Sequence, residues 1–156
     1  MVRSTTNTKD LALQDLPISR GRSRIMRGIR SRDTKPEKEV RPLLHALGYR
    51  FRLHRHDLPG TPDIVFPSRR KVIFVNGGFW HAHDCKNFKF PRTRAEYWRK
   101  KLKRNQQRDK QALAELAKLG WQSLTIWECE VRGCQNIAKS VTHFLDCPNQ
   151  KLPTPG

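Results

Sequence analysis

Residues 71–85 read KVIFVNGGFWHAHDC. The apolar run at residues 72–75 predicts a buried strand, which an Asn-Gly-Gly turn interrupts. Two aromatic residues, two histidines, an aspartate and a cysteine then follow within seven residues. A rigid sheet often presents reactive side chains where a strand ends, so this cluster is a candidate functional site. The alternative is a strand-end turn with satisfied polar side chains, although alternating His-x-His-x-Cys is poor material for a core or a turn.

The segments around this strand predict an α/β layer fold, in which helices cover the faces of a mixed sheet. A capping box at residues 34–37 begins the first helix, Gly48 can end it, and Pro42 is expected to kink or interrupt it. The long helix is expected to begin at a Thr93 cap and to end at Gly120. Strands are predicted at residues 49–55, 62–66, 71–75 and 121–128, and a last helix at 137–145.

The charge of the chain favours a polyanionic partner. Lys and Arg number 32 against 14 acidic residues, which gives a net charge of +18 and a pI near 10.7. Residues 86–110 alone hold 11 basic and 2 acidic residues, or half of the excess. Nucleic acid is therefore the first candidate partner. The arginine-rich arm at residues 20–32, which includes Arg22 and Arg24, suits phosphate contacts or is a solvated tail.

Length and composition predict one domain at residues 20–147, with a flexible N-terminal tail at 1–19 and a C-terminal tail at 148–156. No apolar run has the length of a transmembrane helix, and the N-terminus lacks a secretory apolar segment. We therefore expect a cytoplasmic protein without membrane contacts. In a reducing compartment its four cysteines are thiols or metal ligands.

Asp63 is the first candidate for metal chemistry. It follows a proline, opens a short buried strand and precedes a hairpin return, which is the first half of the PD…(D/E)xK nuclease pattern. The second half of that pattern is missing, because residues 75–77 supply no acid and no lysine. Mg²⁺ would then be bound by Asp63, a main-chain carbonyl near Val75, and waters or DNA phosphates.

Other side chains suggest roles around such a metal. His81 is the best candidate to deprotonate an attacking water, because imidazole titrates near neutral pH, and Glu37 and Asp109 could position metal-bound waters. The residues also leave open a second metal ion with a structural role. His83, Cys85 and Cys129 would meet in a zinc site if the strands that precede them are neighbours, with Asp84, Cys134 or water as the fourth ligand.

The aromatic pair Phe79 and Trp80 has two interpretations. It belongs either to the core or to an exposed wedge that inserts between base pairs, since apolar wedges that unstack a step recognise distorted DNA.

Six segments together resemble the very short patch repair (Vsr) mismatch endonucleases. They cover most of residues 22–133 and read RSRIMRGIRSRDTKPE, LPGTPDIVF, KVIFVNGGFWHAHDC, FPRTRAEYW, NQQRD and LGWQSLTIWECEVRG. The resemblance implies a restriction-endonuclease-like fold with a mixed central sheet. It also implies Mg²⁺-dependent nicking of one strand of double-stranded DNA, 5′ of the thymine in a T:G mismatch. A monomer and a MutL-type repair partner are further expectations.

The resemblance also implies roles for individual residues. Asp63 and the Val75 carbonyl would bind Mg²⁺, and His81 would act as general base. Glu37 and Asp109 would hold metal-bound waters. Met26, Phe79 and Trp80 would form the wedge, and His83, Cys85 and Cys129 would bind zinc.

Two positions depart from the family pattern. Gly78 stands where the family usually has a cysteine, which leaves the zinc ligand set incomplete. Asn76 stands where it usually has a histidine near the scissile phosphate, and asparagine can donate a hydrogen bond but cannot carry a proton charge. The departures motivate an alternative, a relative that binds mismatched or distorted DNA without cutting it. A basic protein that coats nucleic acid without selectivity is a third possibility.

Overall fold

A computed structural model describes residues 32–77, 89–133 and 136–149 of the chain. Within these ranges the order of elements matches the predicted α/β order, with one additional short helix after the last strand. The elements are α1 (Lys35–Ala46), β1 (Arg52–Leu53), β2 (Ile64–Phe66), β3 (Lys71–Asn76), α2 (Ala95–Lys118), β4 (Gln122–Trp127), α3 (Glu128–Gly133) and α4 (Ile137–Asp146), with a 3₁₀ turn at Pro67–Arg69.

The four strands form one mixed sheet in the order β1-β2-β3-β4. The pairs β1–β2 and β2–β3 are antiparallel, whereas β3 and β4 are parallel and pair from Lys71↔Gln122 to Asn76↔Trp127. The long helix α2 lies between β3 and β4 in the chain, as a parallel pair requires a crossover. The start of β2 and the ends of β3 and β4 therefore meet at one edge of the sheet, which we call the C-terminal edge.

Both faces of the sheet are covered. Alternate residues of β2 and β3 pack into two different hydrophobic clusters, one on each face. Ile64 and Ile73 pack with apolar residues of α1, α3 and α4, whereas Val65 and Val72 pack with Leu116 of α2. This alternation follows the two-residue period of a strand. It explains why these strands read as continuous apolar runs in the sequence. Within the described ranges, no helix is both long and apolar enough to cross a membrane.

The start of α1 confirms the predicted capping box: Thr34 Oγ1 lies 3.0 Å from Glu37 Oε1, and the Thr34 N–H donates to the same oxygen at 3.4 Å. Gly120 has a φ of +80° after α2, as predicted for the end of that helix. Pro42 lies inside α1 and does not end it, because the helix runs to Ala46.

Two predicted details were wrong, and one short helix was not predicted. Thr93 does not cap α2, because Arg94 occupies the N-cap position with a φ of +56° and makes no side-chain capping bond. The strand predicted at residues 49–55 shortens to Arg52–Leu53. Tyr49 of that stretch is buried in the core beside α4, where its hydroxyl donates to Asp146 Oδ2 at 3.0 Å. The helix α3 was not predicted, since six residues carry too little periodicity to reveal one.

Candidate active site

Asp63 lies at the C-terminal edge of the sheet, one residue before β2. Its Oδ2 accepts a hydrogen bond of 2.8 Å from the Val75 N–H. Extending the β2–β3 register by two positions sets Pro62 opposite Val75. Proline can accept but cannot donate a hydrogen bond, which weakens the ladder here. The hairpin thus brings together the two residues that the sequence predicted as Mg²⁺ ligands.

Burial makes the Asp63 carboxyl unusual. Its side chain is 14% exposed, and burial raises the pKa of Asp63 to about 7. The hydrogen bond from Val75 opposes this rise, the negative charge of Glu37 adds to it, and the positive charge of Arg41 lowers the pKa. A buried carboxyl whose charge is only partly compensated is favourable for a cation, because a bound cation stabilises the ionised form. The donor chemistry of this site therefore fits a hard divalent metal ion such as Mg²⁺.

His54 is a neighbour of Asp63 that the sequence analysis did not single out. The main-chain N–H of His54 donates to the main-chain carbonyl of Asp63 at 3.2 Å, which extends the β1–β2 register by one position. Its Nδ1 lies 3.9 Å from Asp63 Oδ1, and its Nε2 lies 3.5 Å from Glu37 Oε2. The imidazole therefore lies between two candidate site carboxylates. No local pattern marks it, since the contact depends on the pairing of two strands.

Glu37 is almost fully buried, with 1% of the residue exposed. Its carboxylate accepts from the Asp33 N–H at 3.1 Å and pairs with the Arg41 guanidinium at 2.8 Å, in addition to the capping-box contacts. It is therefore both the N3 residue of the α1 capping box and an acid that faces the His54 imidazole. The sequence predicted that Glu37 holds a metal-bound water, and this remains a prediction.

Arg41 joins the start of α1 to this group of side chains. Its Nη1 lies 2.7 Å from Asp33 Oδ1, and its Nη2 lies 3.0 Å from His54 Nε2. The hydrogen bond from Arg41 is the main cause of a lowered pKa for Asp33. We call Asp33, Glu37, Arg41 and His54 the α1 cluster, and it lies beside Asp63.

The structure also gives the positions of three other predicted site residues. Asn76 ends β3 at the C-terminal edge and is half-buried. Asp109 is half-buried on α2, one helical turn after Asn105. Cys129 lies on α3, two residues after β4. The strands β3 and β4 are neighbours, which was the condition stated for a zinc site that includes Cys129.

Several predicted site residues lie outside the described ranges, so their predictions stay as the sequence made them. They are Arg22, Arg24, Met26, Phe79, Trp80, His81, His83 and Cys85. The substituted position Gly78 also lies there.

The start of α2 carries a mixed aromatic and basic surface that the sequence analysis read only as charge. Tyr97 is 46% exposed, and the cationic groups of Arg94 and Lys101 lie 5.4 and 5.7 Å from the centre of its ring. Lys101 also lies 5.4 Å from the Trp98 ring. Exposed rings among cations are favourable for contact with bases and phosphates.

The mixed sheet with helices on both faces, and with a hairpin that places a buried carboxyl at its C-terminal edge, has the architecture of the restriction-endonuclease-like fold class. A solved structure with the same fold supports this class. It is described as "Homing Endonuclease I-Bth0305I Catalytic Domain", with a TM-score of 0.52 and 21% sequence identity over 72% of this chain and 94% of that one. At this identity the likeness concerns the fold alone.

Sequence comparisons then give the family. A family model described as "DNA mismatch endonuclease Vsr" matches residues 14–87. A relative from Xanthomonas oryzae, "Type II nicking enzyme V.XorIIP", is 50% identical over 78% of this chain and 90% of its own length. "DNA mismatch endonuclease Vsr" from Escherichia coli is 45% identical over 80% of this chain and 81% of its own length. The chain belongs to the Vsr family of DNA mismatch endonucleases and is a DNA endonuclease.

Proposed function

We propose that this protein is a Mg²⁺-dependent endonuclease that nicks double-stranded DNA on the 5′ side of the thymine in a T:G mismatch. The observation that carries the proposal is the pairing of a buried Asp63 with Val75 at the C-terminal edge of the sheet. The names of the Escherichia coli and Xanthomonas oryzae relatives support mismatch-directed nicking. The net charge of +18 supports a DNA substrate.

In this proposal the Asp63 carboxylate and the main-chain carbonyl of Val75 hold the Mg²⁺ ion. When bound, Mg²⁺ supplies positive charge that stabilises the phosphodiester transition state and lowers the pKa of a coordinated water. One protein carboxylate is enough, because Mg²⁺ usually keeps several waters and binds substrate phosphates directly. The raised pKa of Asp63 supports this role, since a buried carboxyl gains from a nearby cation.

The remaining chemistry is assigned to residues near this edge. His81 would take the proton of the attacking water, and Glu37 and Asp109 would position waters beside the ion. Asn76 donates a hydrogen bond to the scissile phosphate. The position of Asn76 at the end of β3, one residue after Val75, supports that contact.

DNA recognition is assigned to a wedge of Met26, Phe79 and Trp80, which opens the duplex beside the mismatch. Arg22 and Arg24 contact phosphates. The aromatic and basic start of α2 supports a DNA-facing surface on this chain. The protein acts as a cytoplasmic monomer and cooperates with a MutL-type repair protein.

A structural Zn²⁺ ion is proposed for His83, Cys85 and Cys129, with a fourth ligand other than residue 78, which is glycine. The parallel pairing of β3 and β4 supports this grouping, because the segments that follow the two strands leave the same edge of the sheet. Elemental analysis of the purified protein tests it. One zinc per chain is expected, and a metal-free protein with full nicking activity would remove this assignment.

A strand-nicking assay tests the main proposal. Wild-type protein with Mg²⁺ is expected to nick a T:G duplex and to spare the matched T:A duplex. Asp63→Asn is expected to lower the nicking rate by at least about 10³-fold, since it removes the charge that binds the metal. The matched control is Asp57→Asn, an exposed aspartate paired with Arg55, which is expected to keep nicking.

Equal nicking by wild type and Asp63→Asn would refute the catalytic role of Asp63. Tight, mismatch-selective binding without cleavage under any divalent ion would instead support a binding-only protein, the alternative that Asn76 motivates.

A further inference from the structure

The α1 cluster contains three potential metal ligands at the spacing of a divalent site. The ligand atoms of Asp33, Glu37 and His54 all lie within 4.8 Å of one another. His54 Nε2 lies 3.7 Å from Asp33 Oδ1 and 3.5 Å from Glu37 Oε2. Around an octahedral ion with bonds of about 2.1 Å, adjacent ligands lie about 3 Å apart and opposite ligands about 4.2 Å apart. Taken alone, these three side chains would suit a divalent cation.

The guanidinium of Arg41 already occupies the centre of this group. It lies within hydrogen-bond distance of all three side chains, at 2.7 Å from Asp33, 2.8 Å from Glu37 and 3.0 Å from His54. The Arg41 side chain is only 16% exposed, so little solvent screens its charge. A metal ion at this place would have to displace a guanidinium that is covalently part of α1.

The cluster is electrostatically linked to the proposed catalytic metal site. His54 contacts Glu37 through Nε2 and lies 3.9 Å from Asp63 Oδ1 through Nδ1. The charge of Arg41 also acts on Asp63, where it favours the ionised carboxylate. Many phosphodiester-cleaving sites use two metal ions about 3.5–4 Å apart to supply positive charge on both sides of the reacting group. In this protein, the Arg41 side chain supplies positive charge beside Asp63.

We propose that Arg41 is a built-in cation that fills a latent second divalent-metal site formed by Asp33, Glu37 and His54. Arg41 is accordingly a positioning residue that holds Glu37 and His54 around its guanidinium, beside the Mg²⁺ ion proposed at Asp63. That Mg²⁺ ion rests on the proposed function. The latent site does not, because neither Asp63 nor Val75 is one of its three ligands.

The test counts Mn²⁺ ions on the full-length protein by electron paramagnetic resonance and calorimetry at pH 7.5. The variant Arg41→Met keeps a long side chain and removes the charge. We expect it to bind one more Mn²⁺ per chain than wild type, and we expect Arg41→Met/Glu37→Gln to lose that additional ion. The control Arg55→Met removes the same charge from a loop pair with Asp57 and should leave the count unchanged. The same count in wild type and Arg41→Met would overturn the proposal.

A crystal of the wild-type protein grown with Mn²⁺ tests the proposal without any variant. Arg41 in place between Asp33 and Glu37, with no anomalous peak there, supports it, whereas an anomalous peak at that position overturns it. The double variant Arg41→Met/Asp63→Asn separates the two proposals. If it retains the additional ion, the latent site stands even where the Asp63 assignment fails, and if it binds none, the latent site is refuted.

Discussion

Asp63 combines burial with a position at the C-terminal edge of the sheet, which raises its pKa from an ordinary 3.8 to about 7. The folded protein therefore binds this proton more tightly than the unfolded chain does. The favourable contribution of this tighter proton binding to the free energy of folding is fully present below about pH 3.8, and it is lost as the pH rises through about 7. Above that pH, a metal-free protein carries a buried charge at the candidate active site.

Asp63→Asn is therefore expected to be more stable than wild type in EDTA at pH 8, by roughly 1–4 kcal/mol. The advantage should shrink steadily as the pH falls from about 7 towards 4, because wild-type Asp63 becomes neutral in the folded state. Thermal unfolding by circular dichroism at several pH values measures this. Asp57→Asn is the control and should not show this trend, since the pKa of Asp57 is lowered by Arg55. A pH-independent difference for Asp63→Asn would contradict the raised pKa.

Glu37 is a second residue whose burial has a measurable consequence. Its carboxylate accepts hydrogen bonds from Asp33 and Thr34 and pairs with Arg41. Glu37→Ala should cost about 2–4 kcal/mol of unfolding free energy, because it breaks the capping box and removes one partner of the partly buried Arg41 guanidinium. Urea denaturation measures the loss. Glu39→Ala, at an exposed position of the same helix, should stay within about 0.5 kcal/mol of wild type, and similar losses for both would refute this role.

At the scale of elements, the position of α2 over the sheet depends on a close approach to the loop before β2. Gly60 has a φ of +74°, and a Cβ added there would lie 2.7 Å from the Ala112 Cβ and 3.3 Å from the Phe74 ring. A side chain at residue 60 would therefore push α2 away from the sheet. The helix that moves is the one that carries Asp109 and the aromatic and basic surface.

Gly60→Ala should consequently destabilise the protein by about 2–4 kcal/mol, since the steric clash adds to the strain of a positive φ. Gly48→Ala is the matched control, because Gly48 has a φ of +85° but no atom within 4 Å of an added Cβ. That control should cost only about 1 kcal/mol. Chemical denaturation of both variants separates the two contributions, and equal losses would show that the contact with α2 has no energetic role.

At the scale of the whole molecule, the net charge of +18 is expected to strengthen binding to DNA through phosphate contacts. The start of α2 holds exposed basic residues such as Lys100, Lys103 and Arg104. Each phosphate contact contributes about 0.9 to the slope of log affinity against log salt concentration. A triple change of these three residues to glutamine should therefore lower that slope by about 2–3.

The loss should be similar for matched and mismatched duplexes, because phosphate contacts do not read sequence. Fluorescence anisotropy over a range of salt concentrations measures the slope. Lys38→Gln/Lys139→Gln removes exposed charge from α1 and α4, and it should leave the slope nearly unchanged if α2 is the DNA-facing side. An unchanged slope in the α2 variant would place the DNA elsewhere on the molecule.

The sequence by itself determined the α/β order, the two buried strands of the hairpin, the long basic helix and the family. These features are local, because they follow from hydrophobic period, capping residues, glycine and short motifs that neighbouring residues define. It also predicted that Asp63 and Val75 lie together, since a short hairpin leaves little freedom in how its strands pair. The ends of weak elements were less predictable, as the misplaced Thr93 cap and the shortened β1 show.

Only the tertiary structure decided the surroundings of Asp63. His54 and Arg41 lie 9 and 22 residues before Asp63 in the chain, and neither belongs to a recognisable motif. They reach the site because β1 pairs with β2 and α1 packs across the sheet, so their proximity depends on long-range register and packing. The raised pKa of Asp63 has the same origin, because burial is a property of the assembled chain and not of any one segment.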